Sequence, residues 1–119
     1  MAKPLIFANW KNHPKSFKDA KKLLEVTRKA AEKAPGFSVI VAPPMMYLRE
    51  LSATKSTKIK FAAQAMHWDE EGAHTGESTL SQIEESKVSY VLIGHAERRA
   101  RGETNDDTRR NVELALNRG

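Results

Sequence analysis

Four short apolar stretches alternate along the chain with longer segments in which apolar residues recur every three or four positions. The short stretches have the length of β-strands and are rich in Val, Ile, Phe and Tyr. They are Leu5–Ala8, Ser38–Ala42, Lys60–Ala65 and Ser89–Gly94. The second and fourth are almost continuously apolar, which is typical of parallel strands buried on both faces.

The first segment between predicted strands has the pattern of an amphipathic helix. Ser16 and Asp19 can cap its start, and Pro35-Gly36 ends it. Its apolar face is formed by residues three and four apart, namely Phe17, Ala20, Leu24, Thr27 and Ala31.

Three further helices are predicted. Pro43-Pro44 opens a helix over 45–51, and a short helix is expected near 79–86, after a long loop. The last helix starts at a capping box formed by Thr104 and Asp107. Its predicted apolar face consists of Val112, Ala115 and Leu116.

The resulting order is four repeats of strand and helix. Such alternation predicts a parallel sheet with right-handed crossovers. It is compatible with an open doubly wound sheet and with part of a closed barrel. In both architectures the chemistry lies at the carboxyl ends of the strands, so the residues there carry the functional signal.

Composition and charge narrow the class of protein. The 119 residues correspond to one domain or a large piece of one, and the 39% hydrophobic content excludes a disordered tail. Without cysteine there is no disulfide, thiolate nucleophile or Cys-based metal site. The net charge of +5 is compatible with an anionic partner such as a phosphorylated substrate. Nucleic-acid binding is not favoured, because the basic residues are spread over helices without interleaved aromatic residues.

Targeting signals and common catalytic motifs are not recognised. The longest uncharged stretch, Phe37–Leu48, has 12 residues and two prolines, so no membrane span is predicted and a cytoplasmic protein is expected. The sequence has no GxGxxG, GxxxxGK[ST] or GxSxG motif, which removes the main support for nucleotide binding by those routes and for serine hydrolysis. No cofactor or metal is predicted.

Candidate chemistry follows the first and fourth predicted strands. Asn9 and Lys11 would point to the same side if the first strand continued through them, and such a Lys suits an anion unless it simply reaches water. His95 follows the fourth strand at a turn or short helix, where it suits proton transfer in carbonyl chemistry or a hydrogen bond to the backbone.

The other histidines and the long loop carry weaker signals. His13, His67 and His74 show no metal-ligand spacing and are expected to be surface or loop residues. The loop at 70–78 is either functional, as loops of this length often are, or an ordinary solvated loop.

Four motifs in register resemble the triosephosphate isomerase family over essentially all 119 residues. They are Phe7–Asn12 at the first strand, Val41–Pro44 at the second, Ala63-Gln64 with Gly72–Glu77 at the third, and Ile93–Arg99 with Gly102–Thr104 at the fourth.

The resemblance implies roles for the residues at the strand ends. Asn9 and Lys11 would bind a small phosphorylated triose, with Lys11 offsetting its negative charge. His95 would be the neutral electrophile that polarises the substrate carbonyl, a role for which this family is itself the standard example. Glu97 would support catalysis by pairing near Lys11 or by relaying a proton.

The resemblance also implies a homodimer. Thr75 would lie at the tip of a loop that enters the neighbouring subunit, with Glu77 and Arg98 as partners across that contact. Two positions depart from the family pattern. Ala96 stands where Ser is usual, which removes a hydroxyl beside His95. Ala65 stands where Asn is usual, which is expected to weaken the dimer.

The largest departure is length. The family's barrel has eight βα units in about 250 residues, and four are recognised here. The glutamate base, the lid loop and the glycine-rich phosphate loops belong to the other half, and Glu97 is not that base. We therefore expect an α/β fold that is half of a TIM (β/α)8 barrel, a single (βα)4 module over 1–119, completed by another chain or by self-association.

Three functions are compatible with this half-barrel. The first is one chain of a split isomerase, active only when a C-terminal half supplies the base; the end of the chain after the fourth helix favours it. The second is a self-assembling half-barrel fragment or engineered scaffold with little or no activity. The third is an open-sheet domain that binds a phosphorylated small molecule at Asn9 and Lys11.

Overall fold

The computed structural model describes residues 2–54 and 58–119. These residues contain four strands, each followed by a helix, and a fifth helix at the end. In chain order they are β1 Leu5–Asn9, α1 Phe17–Glu32, β2 Ser38–Ala42, α2 Met45–Ser52, β3 Ile59–Ala63, α3 Leu80–Glu85, β4 Tyr90–Val91, α4 Ala96–Arg99 and α5 Asn105–Arg118.

The strands form one parallel sheet in the order β1-β2-β3-β4. An open doubly wound sheet would reverse its strand order at a switch point. Here the spatial order follows the chain order throughout, as in a barrel wall. The sheet is a curled half-barrel, which confirms the expected fold class.

The outer face of the sheet is buried beneath the helices. Val39 and Val41 of β2 point outward with Phe61 of β3 and pack with Leu48 and Leu51 of α2. Leu51 is 1% exposed and Leu48 is 2% exposed. This layer is the main hydrophobic core, and its burial supplies the largest favourable contribution to folding.

The inner face of the sheet is buried only in its middle. Ile40, Ala42 and Ala62 form a small second cluster with Tyr90 and Leu92 packed against it. By contrast, two apolar residues of β1 that share the inner face, Leu5 and Phe7, are 60% and 40% exposed. The wall of the half-barrel is therefore open along β1.

Local capping signals in the sequence correspond to observed helix starts. The Ser16 side chain accepts a hydrogen bond from the Asp19 backbone N–H at the start of α1. Thr104 and Asp107 form the reciprocal capping box predicted for α5. Thr79 and Gln82 form a second one at α3. Each cap satisfies backbone N–H groups that a helix start leaves unpaired.

The third and fourth strands are shorter than predicted. β3 ends at Ala63 instead of Ala65, and β4 covers two residues instead of Ser89–Gly94. Because β3 is its partner, β4 can extend only as far as β3 does. Beyond Val91, the Leu92 backbone N–H still donates a hydrogen bond to the Ala63 carbonyl at 2.9 Å.

The predicted apolar face of the last helix was right at Ala115 and wrong at Val112 and Leu116. Val112 is 37% and Leu116 75% exposed, whereas Leu114 and Ala115 pack against the main core. The fully inward position of α5 is polar: Asn111 is 3% exposed and donates from Nδ2 to the Met66 carbonyl. Because the residue at the centre of the buried face is polar, the positions of the apolar residues alone predict the wrong orientation for this helix.

Among residues 2–54 and 58–119, no helix is both long enough and apolar enough to cross a membrane.

Replacing a core leucine should destabilise the fold far more than replacing an exposed one. Leu51→Ala removes a buried side chain from the face of α2 that packs on the sheet, and it should lower the free energy of unfolding by about 2–5 kcal/mol. Leu116→Ala, on the exposed side of α5, should change it by less than about 0.5 kcal/mol. Urea denaturation of both variants checks this, and equal losses would contradict the assigned core.

Candidate functional site

The carboxyl ends of the strands surround an open cleft of about 730 Å³. Asn9 and Lys11 enter it from the end of β1, Gln64 from the end of β3, and His95 and Glu97 from beyond β4. The structure therefore brings together all four residues expected to bind substrate or act in catalysis. They meet because parallel strands in register end at the same edge of the sheet.

Lys11 occupies this cleft through a turn rather than a strand. β1 ends at Asn9, and Lys11 has a φ of 56°, in the left-handed region. The expectation that strand alternation aligns residues 9 and 11 is therefore wrong. The Lys11 backbone N–H donates instead to Asn9 Oδ1 at 2.9 Å. A left-handed non-glycine residue costs about 1–3 kcal/mol and persists only where its surroundings hold it.

Gln64 holds the Lys11 turn in place. Its Nε2 donates to the Lys11 carbonyl at 2.7 Å and to the Ala42 carbonyl at 2.9 Å. One amide thus ties the turn after β1 to the end of β2. The sequence motifs include Gln64 but indicate no role for it. The sequence does place this amide directly after an apolar strand. A polar group at such a position needs hydrogen-bond partners, which is a sign of a structural role.

Glu97 forms an ion pair with Lys11. Glu97 Oε1 lies 2.9 Å from Lys11 Nζ, in agreement with the pairing expected near Lys11. The hydrogen bond from this ammonium lowers the pKa of the Glu97 carboxyl. The side chains are 55% and 59% exposed, so water and salt screen the pair and it adds little to stability.

His95 caps the start of α4. Its Nδ1 accepts the Glu97 backbone N–H at 3.1 Å. An accepting Nδ1 carries no proton, so a neutral ring places its proton on Nε2 as a donor. Glu97 Oε2 lies 3.8 Å from His95 Nδ1, while Oε1 of the same carboxylate pairs with Lys11, so one carboxylate lies near both the imidazole and the ammonium.

Gly94 sets the direction in which His95 leaves β4. Its φ is 70°, in the left-handed region, and an added Cβ would lie 2.9 Å from Cγ2 of Thr108. Both the backbone and the space therefore require glycine. Arg99 Nε also donates to the Gly94 carbonyl at 3.1 Å, which fixes the turn before α4.

Comparison with known proteins agrees with this arrangement. The family model of triosephosphate isomerase matches residues 4–119. The chain belongs to the triosephosphate isomerase family.

Alignment with individual triosephosphate isomerases shows what share of each complete enzyme this chain matches. The one from Geotalea uraniireducens is 37% identical over 121 residues, covering 100% of this chain and 48% of that protein. The one from Thermoanaerobacter pseudethanolicus is 39% identical with the same coverage. The one from Coprinopsis cinerea is 42% identical over 91 residues, which cover 76% of this chain and 36% of that protein. The chain spans about half the length, or less, of these relatives.

The residues that the family resemblance assigns to a subunit contact lie beside the cleft. Thr75 is exposed in the loop after β3. Glu77 and Arg98 pair with each other within the chain, with Arg98 Nη2 3.2 Å from Glu77 Oε1. Arg98 Nε also lies 3.4 Å from Glu103 Oε2. The role of these residues across a contact between subunits stays a prediction.

The two positions that depart from the family pattern both lie at the site. Ala65 lines the cleft after β3, and Ala96 is the exposed first residue of α4, next to His95. Their effects on the dimer and on His95 remain predictions.

His67 and His74, expected to be surface or loop residues, come together with Asp69. His67 is only 7% exposed, because its ring stacks against those of Trp68 and His74. The possible ligand atoms of His67, Asp69 and His74 lie within 4.8 Å of one another. Among the described residues, this is the group of histidine and acidic side chains that could hold a metal ion.

Removing the Lys11 ammonium should raise the pKa of Glu97. Lys11→Met leaves the carboxylate without its strongest partner, so the pKa should return toward its ordinary range. A lowered pKa means that the ion pair forms above that pKa and is lost as the pH falls through it. An NMR titration of the Glu97 carboxyl measures the shift, and Lys15→Met is the control. An unchanged titration in Lys11→Met would contradict the assigned pair.

Proposed function

We propose that this half-barrel supplies the substrate-binding and electrophilic side of a triosephosphate isomerase site. The reaction is the interconversion of dihydroxyacetone phosphate and glyceraldehyde 3-phosphate, a step of glycolysis. The observation that carries the proposal is the arrangement of Lys11, Glu97 and His95 at one mouth of the sheet. An ammonium and a ring N–H donor there face the same open cleft.

Each residue has a role that follows from its contacts. The Lys11 ammonium offsets the negative charge of the substrate phosphate and of the developing oxyanion. His95 Nε2–H donates a hydrogen bond to the substrate carbonyl oxygen, since Nδ1 is already occupied by the Glu97 N–H. Asn9 holds the Lys11 backbone and presents its amide to the cleft. Glu97 orients the Lys11 ammonium. Its alternative role as a proton relay would need a closer approach, because its carboxylate lies 3.8 Å from His95 Nδ1, outside hydrogen-bond distance.

Proton removal next to a carbonyl also needs a base. Glu97 is engaged with Lys11 and belongs to a motif that is not the family's base motif. By the family resemblance, the glutamate base lies in the second half of the barrel. We therefore propose that catalysis requires four further βα units that carry this base.

The exposure of the site supports the same requirement. Lys11 and Glu97 are each more than half exposed, so the effective dielectric between them is close to that of water. A charge clamp of this kind becomes strong only where water is excluded. Four more units would close the barrel and enclose the mouth of the cleft.

The partner that completes the barrel should cover β1. In addition to Leu5 and Phe7, Ile6 is 46% exposed on the opposite face of this strand. An edge strand with exposed apolar side chains tends to pair with another strand. We propose that this edge meets the complementary half or, in its absence, a second copy of the chain. The latter case corresponds to an inactive self-assembling half-barrel.

Complementation should distinguish these two cases. The chain alone should show negligible isomerase activity, since loss of a general base costs about 10²–10⁴-fold. Adding the C-terminal half of the Thermoanaerobacter pseudethanolicus enzyme should raise the activity by about 100-fold or more. Sedimentation of each mixture reports assembly. Activity of the chain alone close to that of a complete enzyme would contradict the proposal, and self-assembly with no gain on mixing would favour the inactive half-barrel.

In the completed barrel, Lys11 and His95 should be the sensitive positions. Lys11→Ala should raise KM and lower kcat, because the charge is lost from the ground and transition states alike. His95→Gln keeps a donor but cannot transfer a proton, so it should lower kcat by about 100-fold or more. Lys29→Ala, on the exposed side of α1, is the matched control. Near-parental kcat/KM in both site variants, with normal assembly, would show that the assignment is wrong.

A further inference from the structure

A second cavity, of about 400 Å³, lies beside the loop that follows β3. His67, His74 and Asn111 line it, and neither Lys11 nor His95 does. The two ends of the loop are fixed to each other: the His67 N–H donates to the Ser78 carbonyl at 2.8 Å, and His67 pairs with Thr79 in an isolated parallel bridge. The His67 ring is held by the Asp69 backbone N–H, which donates to its Nδ1 at 3.0 Å. The buried His67 ring is therefore a rigid wall of this cavity.

Two exposed side chains approach this fixed ring. His74 Nε2 lies 2.7 Å from Asp69 Oδ2, and the His74 ring centroid lies 3.9 Å from that of His67. Two ligands of one zinc ion, each about 2.1 Å from it, are at most about 4.2 Å apart. The three ligand atoms lie within 4.8 Å of one another. An imidazole nitrogen binds a metal ion in the plane of its ring, so the exposed His74 ring turns out of its stack with His67 to bind the same ion.

Asn111 gives an independent sign of a missing partner. Asn111 is 3% exposed, and its Oδ1 is buried without a hydrogen-bond partner among the described residues. The Nδ2 of the same amide is occupied by the Met66 carbonyl. A buried acceptor without a partner is costly, and it suits a donor such as water bound to a cation.

We propose that His67, Asp69 and His74 form a binding site for a divalent transition metal ion such as Zn²⁺. Two imidazole nitrogens and one carboxylate oxygen are a ligand set that suits zinc, with a further position open to water. That position faces the cavity, where Asn111 Oδ1 accepts a hydrogen bond from the bound water. The carboxylate neutralises part of the charge of the ion. This site is independent of the isomerase reaction proposed above.

Metal binding at Nε2 of His67 requires the other tautomer of its neutral ring. In the metal-free chain, His67 Nδ1 accepts the Asp69 backbone N–H at 3.0 Å, so the proton of the neutral ring lies on Nε2. A metal ion at Nε2 moves that proton to Nδ1 and releases the Asp69 amide.

Calorimetric titration of Zn²⁺ into the full chain, stripped of metal, tests the proposal. We expect about one ion per chain. The double variant Asp69→Asn/His74→Gln should bind at least about 100-fold more weakly, since loss of a mere hydrogen-bonding partner of a ligand already costs about 10–100-fold. Both side chains are exposed, at 51% and 37%, so the variant should fold. His13→Gln, which changes an exposed histidine outside the cluster, should bind as the parent does.

NMR of the histidine rings gives a second readout that needs no variant. Zn²⁺ should shift the ring nitrogens of His67 and His74 and the backbone amide of Asp69, and should leave those of His13 unchanged. The proposal is overturned if the parent takes up no zinc, if the double variant binds as tightly as the parent, or if the His67 and His74 rings do not respond. Equal loss of binding in His13→Gln would also overturn it.

Discussion

Burial of the outer sheet face beneath the helices is the constraint on which the rest of the structure depends. Val39, Val41 and Phe61 face the helices, so their neighbours along each strand must face the barrel interior. A shift of one residue would exchange the two faces, and the hydrophobic cost of that exchange holds the register. The register in turn decides where each strand ends, and so places Asn9 level with Ala42 at the rim.

The rim residues are then held by polar contacts rather than by packing. Gln64 ties the left-handed Lys11 turn to β2, and Gly94 directs His95 away from β4. Backbone strain at Lys11 fits a functional position, because such strain persists only where surrounding contacts offset its energetic cost. The Lys11–Glu97 pair, by contrast, lies in open water, so its strength depends on what encloses the cleft.

The loop after β3 connects the rim to the helical layer. Glu77 meets Arg98 of α4, and His67 lies under the same loop with Asp69 and His74. Loops on a rigid scaffold can bring distant polar residues together without disturbing the core. The cleft at the strand ends and the second cavity thus share Glu77 and Arg98, and the inferred metal site lies on the side of the second cavity.

The sequence by itself determined the order of strands and helices, the capped helix starts and the family, because these depend on local periodicity and short motifs. Only the tertiary structure decided the short β4, the inward Asn111 of α5 and the role of Gln64. It also decided the burial of His67 beside Asp69 and His74. These features depend on residues far apart in the chain, since strand length requires a paired neighbour and a polar side chain is placed by the partner that satisfies it.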